Sequence, residues 1–243
     1  MTEHTAGDGG NRVSHISGAA TDLLILLGTL FVIKTALLQF DPLWTYAGPI
    51  SLTASAAVAT WRLYRNREGW ADLGLRRPVS ITRVLVWSGV ALVITMAAGP
   101  AIELAVSSAG ISGTEIDPRY SGRFADLRGN TPMFVYWVFL SWFVGGFVEE
   151  MLFRGMLISR FERLLSGGPV ALAMAVVLQS IVFGQQHFYY QGWSGALATG
   201  GIALLSGFFY VMLGRNLWPL VLSHGAANTI GLTLIYSGIQ SAG

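Results

Sequence analysis

Residues 132–154 read PMFVYWVFLSWFVGGFVEEMLFR. Up to Val148 the stretch is almost wholly apolar, and a membrane-crossing helix needs about 20 such residues. It opens on Pro132, and proline suits the first turn of a helix. It then runs into Glu149 and Glu150, with Arg154 four residues after the second acid. An ionisable group inside a span costs roughly 2.5–3.5 kcal/mol on insertion scales, and most such groups face the bundle interior. The stretch therefore predicts an all-α transmembrane bundle with one helix turning charge inward.

Composition agrees. Of 243 residues, 53% are hydrophobic and 12% charged, where a soluble domain carries about 25% charged residues. Mean hydropathy is +0.55. Too few polar side chains remain for a water-facing surface, which excludes a soluble single-domain enzyme, a disordered protein and an ordinary nucleic-acid binder. The 15 basic residues are all arginine except Lys34, and the basic pI does not argue for a nucleic-acid partner. With no cysteine, disulfides, thiol nucleophiles and Cys-ligated metals are excluded. The polar head has no basic run followed by a short apolar core and cleavage site, so no signal peptide is expected.

Outward from 132–154, hydropathy gives seven spans: 20–40, 43–64, 84–108, 132 to beyond 154, 169–188, 195–213 and 217–236. An eighth or re-entrant piece stays open. Residues 1–18 are expected to be a disordered cytoplasmic head. Residues 19–243 form one transmembrane domain, with no convincing repeat. Eleven arginines fall in the head and the 62–83, 154–163 and 214–216 connections, against Arg119, Arg123 and Arg128 on the other side. The positive-inside rule then puts the head in the cytoplasm of a multi-pass cell-membrane protein. Trp44, Trp61, Trp193 and Trp218 sit near span ends, where indoles favour the interface.

Asp22 and Lys34 lie near span ends or can snorkel; Glu103 is expected to make a buried structural hydrogen bond. Glu150 and Arg154 share a helix face and can pair. Glu149 points about 100° away, toward something else. Taken alone, the acid pair reads equally well as a cluster at the headgroup boundary. Both histidines outside the head then lie in spans: Phe183 and His187 at i, i+4, and His224 and Asn228 at i, i+4. For either helix alone, interhelical hydrogen bonding is the simpler account, and Phe183 alone reads as packing. A hairpin of spans four and five turning at 166–169 brings them together. It puts Glu149 about 24 Å and His187 about 27 Å from the turn, level on neighbouring helices. His224 and Asn228 lie about 14 and 20 Å into the last span. A Glu, His, His and Asn cluster at intermediate depth is thus sterically reasonable.

Glu149-Glu150-x-x-x-Arg154, Phe183-x-x-x-His187 and His224-x-x-x-Asn228, in that order on separate spans, resemble the three motifs of the CPBP family. These are the CAAX proteases and bacteriocin-processing enzymes, also called the ABI or abortive-infection family. The tract 73–78, LGLRRP, is similar to one common in bacterial members. The motif region covers about residues 132–236. The resemblance implies an intramembrane endopeptidase in which Glu149 and His187 activate water, His224 and Asn228 stabilise the oxyanion, and Glu150, Arg154 and Phe183 support them. Fixed imidazole and amide donors in a water-poor cavity suit a developing oxyanion. Members are often labelled metalloproteases, and Glu149, His187 and His224 could instead hold zinc with water in the fourth position; the metal-free version is favoured, and His-Glu-x-x-His is absent.

The implied partners are the lipid bilayer and a membrane-associated protein or peptide substrate, with prenylation of that substrate left open. The near-exclusive use of arginine suggests a GC-rich prokaryote, and bacterial members are linked to bacteriocin maturation or self-immunity. Two other readings compete. A non-catalytic membrane immunity or scaffold protein would not need the filled motif set. A proton-coupled transporter would predict a repeat and a broken helix pair. One tension remains: His187 falls toward the end that the arginine count puts outside, whereas CAAX-type members work on cytoplasmic substrates.

Overall fold

The computed structural model describes residues 6–111 and 117–239, and no strand occurs among them. Helix α1 spans Ala6–Leu37, α2 Asp41–Trp44, α3 Ala47–Arg65, α4 Ile81–Ser108 and α5 Pro118–Gly122. A continuous helical column follows: α6 (Thr131–Leu140), a π-helical segment (Ser141–Leu157) and α7 (Ile158–Leu164). Helix α8 covers Gly168–Met212 and α9 Trp218–Tyr236. Each of the seven apolar runs is helical. Four helical stretches, Ile16–Leu37, Ile81–Ser108, Thr131–Leu164 and Gly168–Met212, are long and apolar enough to cross a membrane. The last carries two of the expected runs.

Helix α1 starts well before the apolar run at residue 20. Residues 6–18, expected to be disordered, are therefore helical, and residues 1–5 lie outside the described residues. Once a helix is nucleated, extending it needs only one residue fixed at a time.

The column is the axis of the bundle. Helices α3, α8 and α9 pack on its π segment, α1 and α8 on α7, and α4 covers α8 and α9 from outside. Its start is capped by Asn130, whose side chain accepts from the Met133 amide, with Pro132 in the first turn. From Val144 to Phe161 nearly every second residue or more is buried, with Phe153, Met156 and Ile158 almost fully so. Helix α8 is two antiparallel arms. Gly192 (φ 62°, ψ −163°) breaks it, a left-handed conformation that glycine adopts without a Cβ penalty. Folding back puts Gly184 against Ala196 and Gly200, and the buried Gln179 amide donates to the Ala203 carbonyl at 3.0 Å. Small residues let membrane helices approach this closely.

One end of the bundle is held by charge. Asp22 is 1% exposed, so it does not snorkel. It accepts from Arg62 at 2.6 Å, Arg160 at 2.7 Å and Asn66 at 3.2 Å. Glu68 accepts from Arg160 at 2.6 Å and from Arg163. A buried carboxylate survives only when so paired. The tract 73–78 docks beside this network: Tyr210 donates to the Leu73 carbonyl and the Leu217 amide to Gly74. Gly74 has φ 102°, and a Cβ there would sit 2.0 Å from the Arg215 carbonyl oxygen.

Lys34 is also buried, at 4% exposure. Its ammonium donates to the Gln186 side chain at 2.7 Å and lies 5.4 Å from the Tyr189 ring centre. Glu103, in contrast, is exposed on α4, so the buried hydrogen bond expected of it does not form. Trp44 is buried, edge-on to Tyr189 at 5.5 Å.

Candidate active site

The hairpin between the column and α8 turns at Ser166, Gly167 and Gly168, all with positive φ. Its register is fixed by aromatic packing. Phe153 meets Phe183 edge-on at 4.8 Å, and the Arg154 guanidinium lies 4.8 Å from the Phe183 ring centre. Glu149, about one turn before, is therefore level with His187, one turn after, as the hairpin arithmetic requires. Helix α9 closes the third side. Gly146 abuts Gly225 with 3.3 Å between a would-be Cβ and its backbone, and Gly145 leaves the space that Asn228 Nδ2 fills.

Glu149, Glu150, Arg154, Phe183, His187, His224 and Asn228 thereby line one cavity of about 470 Å³. All seven residues singled out in the sequence converge there. Glu149 was expected to point away from Glu150, yet both reach His224. Glu150 Oε1 is 2.8 Å from Nδ1, and Glu149 Oε2 is 3.9 Å from Nε2. The reason is the π segment: its i→i+5 bonding puts more residues in each turn than an α-helix, so successive side chains diverge less. Such segments cluster at functional sites.

Glu150 and Arg154, each 1% exposed, are 3.1 Å apart. Glu150 therefore joins Arg154 to His224 and fixes that ring's orientation, a role for which a carboxylate behind an imidazole is well suited. At His187, Nδ1 is 3.0 Å from the Phe183 carbonyl oxygen. A carbonyl only accepts, so Nδ1 carries the proton and Nε2 of the neutral ring keeps its lone pair. The His187 ring stacks on Phe183 at 4.8 Å, and His224 lies on the same phenyl at 6.5 Å. Phe183 is thus a shared platform for both histidines and Arg154.

The cavity holds residues that sequence reasoning passed over. Lys34 reaches its wall through Gln186, and Tyr189 and Tyr190 line it two and three residues after His187. Tyr120, Arg123 and Phe124 enter from the 117–130 connection, whose Asp117 amide donates to the Tyr190 carbonyl at 3.3 Å. Only the spacing of Tyr120, Arg123 and Phe124 could have hinted at this. Among the described residues, no group of three or more His, Asp or Glu side chains is arranged to hold a metal ion.

Residues 131–230 match the family model described as type II CAAX prenyl endopeptidase Rce1-like. No curated protein and no solved structure matches the chain. The matched segment opens on the N-terminal turn of the central column and ends just past Asn228, so it takes in every helix that contributes to the acid, histidine and asparagine set. Over this segment the chain is similar to the type II CAAX prenyl endopeptidases of the Rce1-like family.

Proposed function

We propose that this protein is an intramembrane endopeptidase that cuts a membrane-associated protein or peptide by direct water attack. The observation that carries the reading is the meeting of Glu149, His187, His224 and Asn228, from three separate helices, on one cavity. A scaffold or immunity protein would have no use for that convergence.

Water held between Glu149 and the free Nε2 of His187 gives a proton to Glu149 as its oxygen adds to the scissile carbonyl. The same proton then passes to the departing amine as the C–N bond breaks, which is general base followed by general acid catalysis. The oxyanion is met by the Asn228 amide and by His224. Because the His224 Nδ1 proton is directed to Glu150, the ring donates from Nε2 only as imidazolium, with Glu150 its counter-ion. No step runs through a metal. The bundle crosses the cell membrane seven times with its N-terminus in the cytoplasm, as the arginine distribution argues.

The test is cleavage by purified, reconstituted protein. Glu149→Ala and His187→Ala abolish proteolysis while folding and inserting normally. Asn228→Ala loses about 2.7–4 kcal/mol of transition-state stabilisation, the range for an oxyanion donor. A chelator leaves the rate unchanged; activity that vanishes on chelation and returns with zinc would assign the water to a metal instead. Full activity in folded Glu149→Ala protein would end the peptidase reading.

A further inference from the structure

Among the described residues, five arginines are at least half-buried: Arg62, Arg123, Arg154, Arg160 and Arg215. Four of them have a carboxylate partner. Arg123 has none. Asp117 and Asp41 are taken by Arg119, Glu150 by Arg154, and Glu149 faces His224. Yet Arg123 lines the catalytic cavity. Its guanidinium lies over Trp137 at 5.0 Å, Phe124 at 5.4 Å and Tyr190 at 5.9 Å. Its Nε is buried without a hydrogen-bond partner.

Rings on several sides hold a guanidinium in place without satisfying its N–H donors. A donor left unmet in a water-poor site is costly until a ligand supplies the acceptor. The planar fork of arginine matches a carboxylate through two parallel charge-assisted bonds. The position suits a substrate group as well. Tyr190 touches both partners, its ring 5.6 Å from the His187 ring and 5.9 Å from the Arg123 guanidinium. Arg123 therefore stands two ring contacts from His187, a distance that a few extended peptide residues span at about 3.3–3.6 Å each.

We propose that Arg123 anchors a carboxylate of the substrate a few residues from the scissile bond, either the peptide's own C-terminus or an acidic side chain. This specificity role rests on the peptidase reading for its purpose, but its test does not need hydrolysis. The full chain carrying Glu149→Gln is titrated in detergent with three probes: acetyl-leucyl-leucine, its C-terminal amide, and acetyl-leucyl-glutamic acid amide. The free acid binds at least ten-fold more tightly than its amide, and Arg123→Gln removes the difference. If the glutamate-bearing amide binds as tightly as the free acid, the anchored group is any nearby carboxylate; if it binds as weakly as the plain amide, the anchor reads the C-terminus. Equal binding of acid and amide with Arg123 intact overturns the proposal, as does an acid preference that survives Arg123→Gln. Arg123→Lys keeps the charge without the fork and gives an intermediate preference. It carries the same test where the glutamine variant fails to fold, and an undiminished preference there also overturns the assignment. Because binding is read without cleavage, loss of the carboxylate anchor and loss of the peptidase reading show up separately.

Discussion

Glu150 has two partners, and they make its two effects separable. Toward Arg154 it is half of an ion pair with both side chains 1% exposed. Removing either member leaves an uncompensated buried charge, at about 3–5 kcal/mol. Glu150→Gln and Arg154→Met each lower the melting temperature in detergent, and the double variant loses less than the sum of the two. Strict additivity in that cycle would mean the two groups do not interact. Toward His224, Glu150 holds a ring rather than a fold. Phe183 shows the same division of labour: its phenyl carries Arg154 on one contact and both histidines on others.

At the scale of helices, three glycines decide how close α9 comes to the π segment, and they do so differently. A Cβ at Gly145 would lie 2.6 Å from Asn228 Nδ2, the tip of a side chain that can rotate away. Gly145→Ala therefore melts close to wild type but displaces Asn228, the proposed oxyanion donor, and cleavage falls about 10²–10³-fold. A Cβ at Gly225 would lie 2.5 Å from the Trp142 ring, opposite the Gly146 backbone. Gly225→Ala overpacks the helix crossing and lowers stability by about 1–3 kcal/mol. Melting and turnover measured on both variants check the pair; an unstable Gly145→Ala with unchanged turnover per folded molecule would reverse the assignment.

Across the whole molecule the charge network and the cavity stand apart. Asp22 belongs to the first and Lys34 borders the second, and they are separated by about 18 Å along α1. At the network end, burial raises the Glu68 carboxyl, but the Arg163 and Arg160 guanidiniums outweigh it and hold it below its ordinary 4.5. A lowered carboxyl contributes stability that is complete above its unfolded value and is lost as pH falls through the folded one. The melting temperature of wild type thus declines as the pH falls through and below Glu68's ordinary 4.5, while Glu68→Gln starts lower and declines less. An identical acid slope in both would remove Glu68 from the account. The separation also makes orientation measurable in a chain without cysteine. In the proposed orientation, with the arginine-rich end in the cytoplasm, an impermeant thiol reagent applied to intact cells labels Asp126→Cys near the cavity and spares Arg77→Cys. The opposite pattern would turn the cavity to the cytoplasm.

Composition and hydropathy were enough to determine an all-helical membrane chain, because a bilayer offers the backbone no hydrogen-bond partners and leaves the helix as the form these apolar runs can take. The i, i+4 pairs and the glycine turn were also enough to gather Glu149, His187, His224 and Asn228, since helical rise converts numbering into depth. What needed the tertiary structure was everything that depends on packing at a distance. The π segment brings Glu149 round to the histidine that Glu150 also holds, and hydropathy carries no sign of i→i+5 bonding. Asp22 and Lys34 read as snorkelling ends because their partners, Arg160 and Gln186, lie far along the chain. Arg123 counted only as a loop charge until folding set it among three rings, with no acid among the described residues to answer it, and that contrast exists only between side chains that the fold brings together.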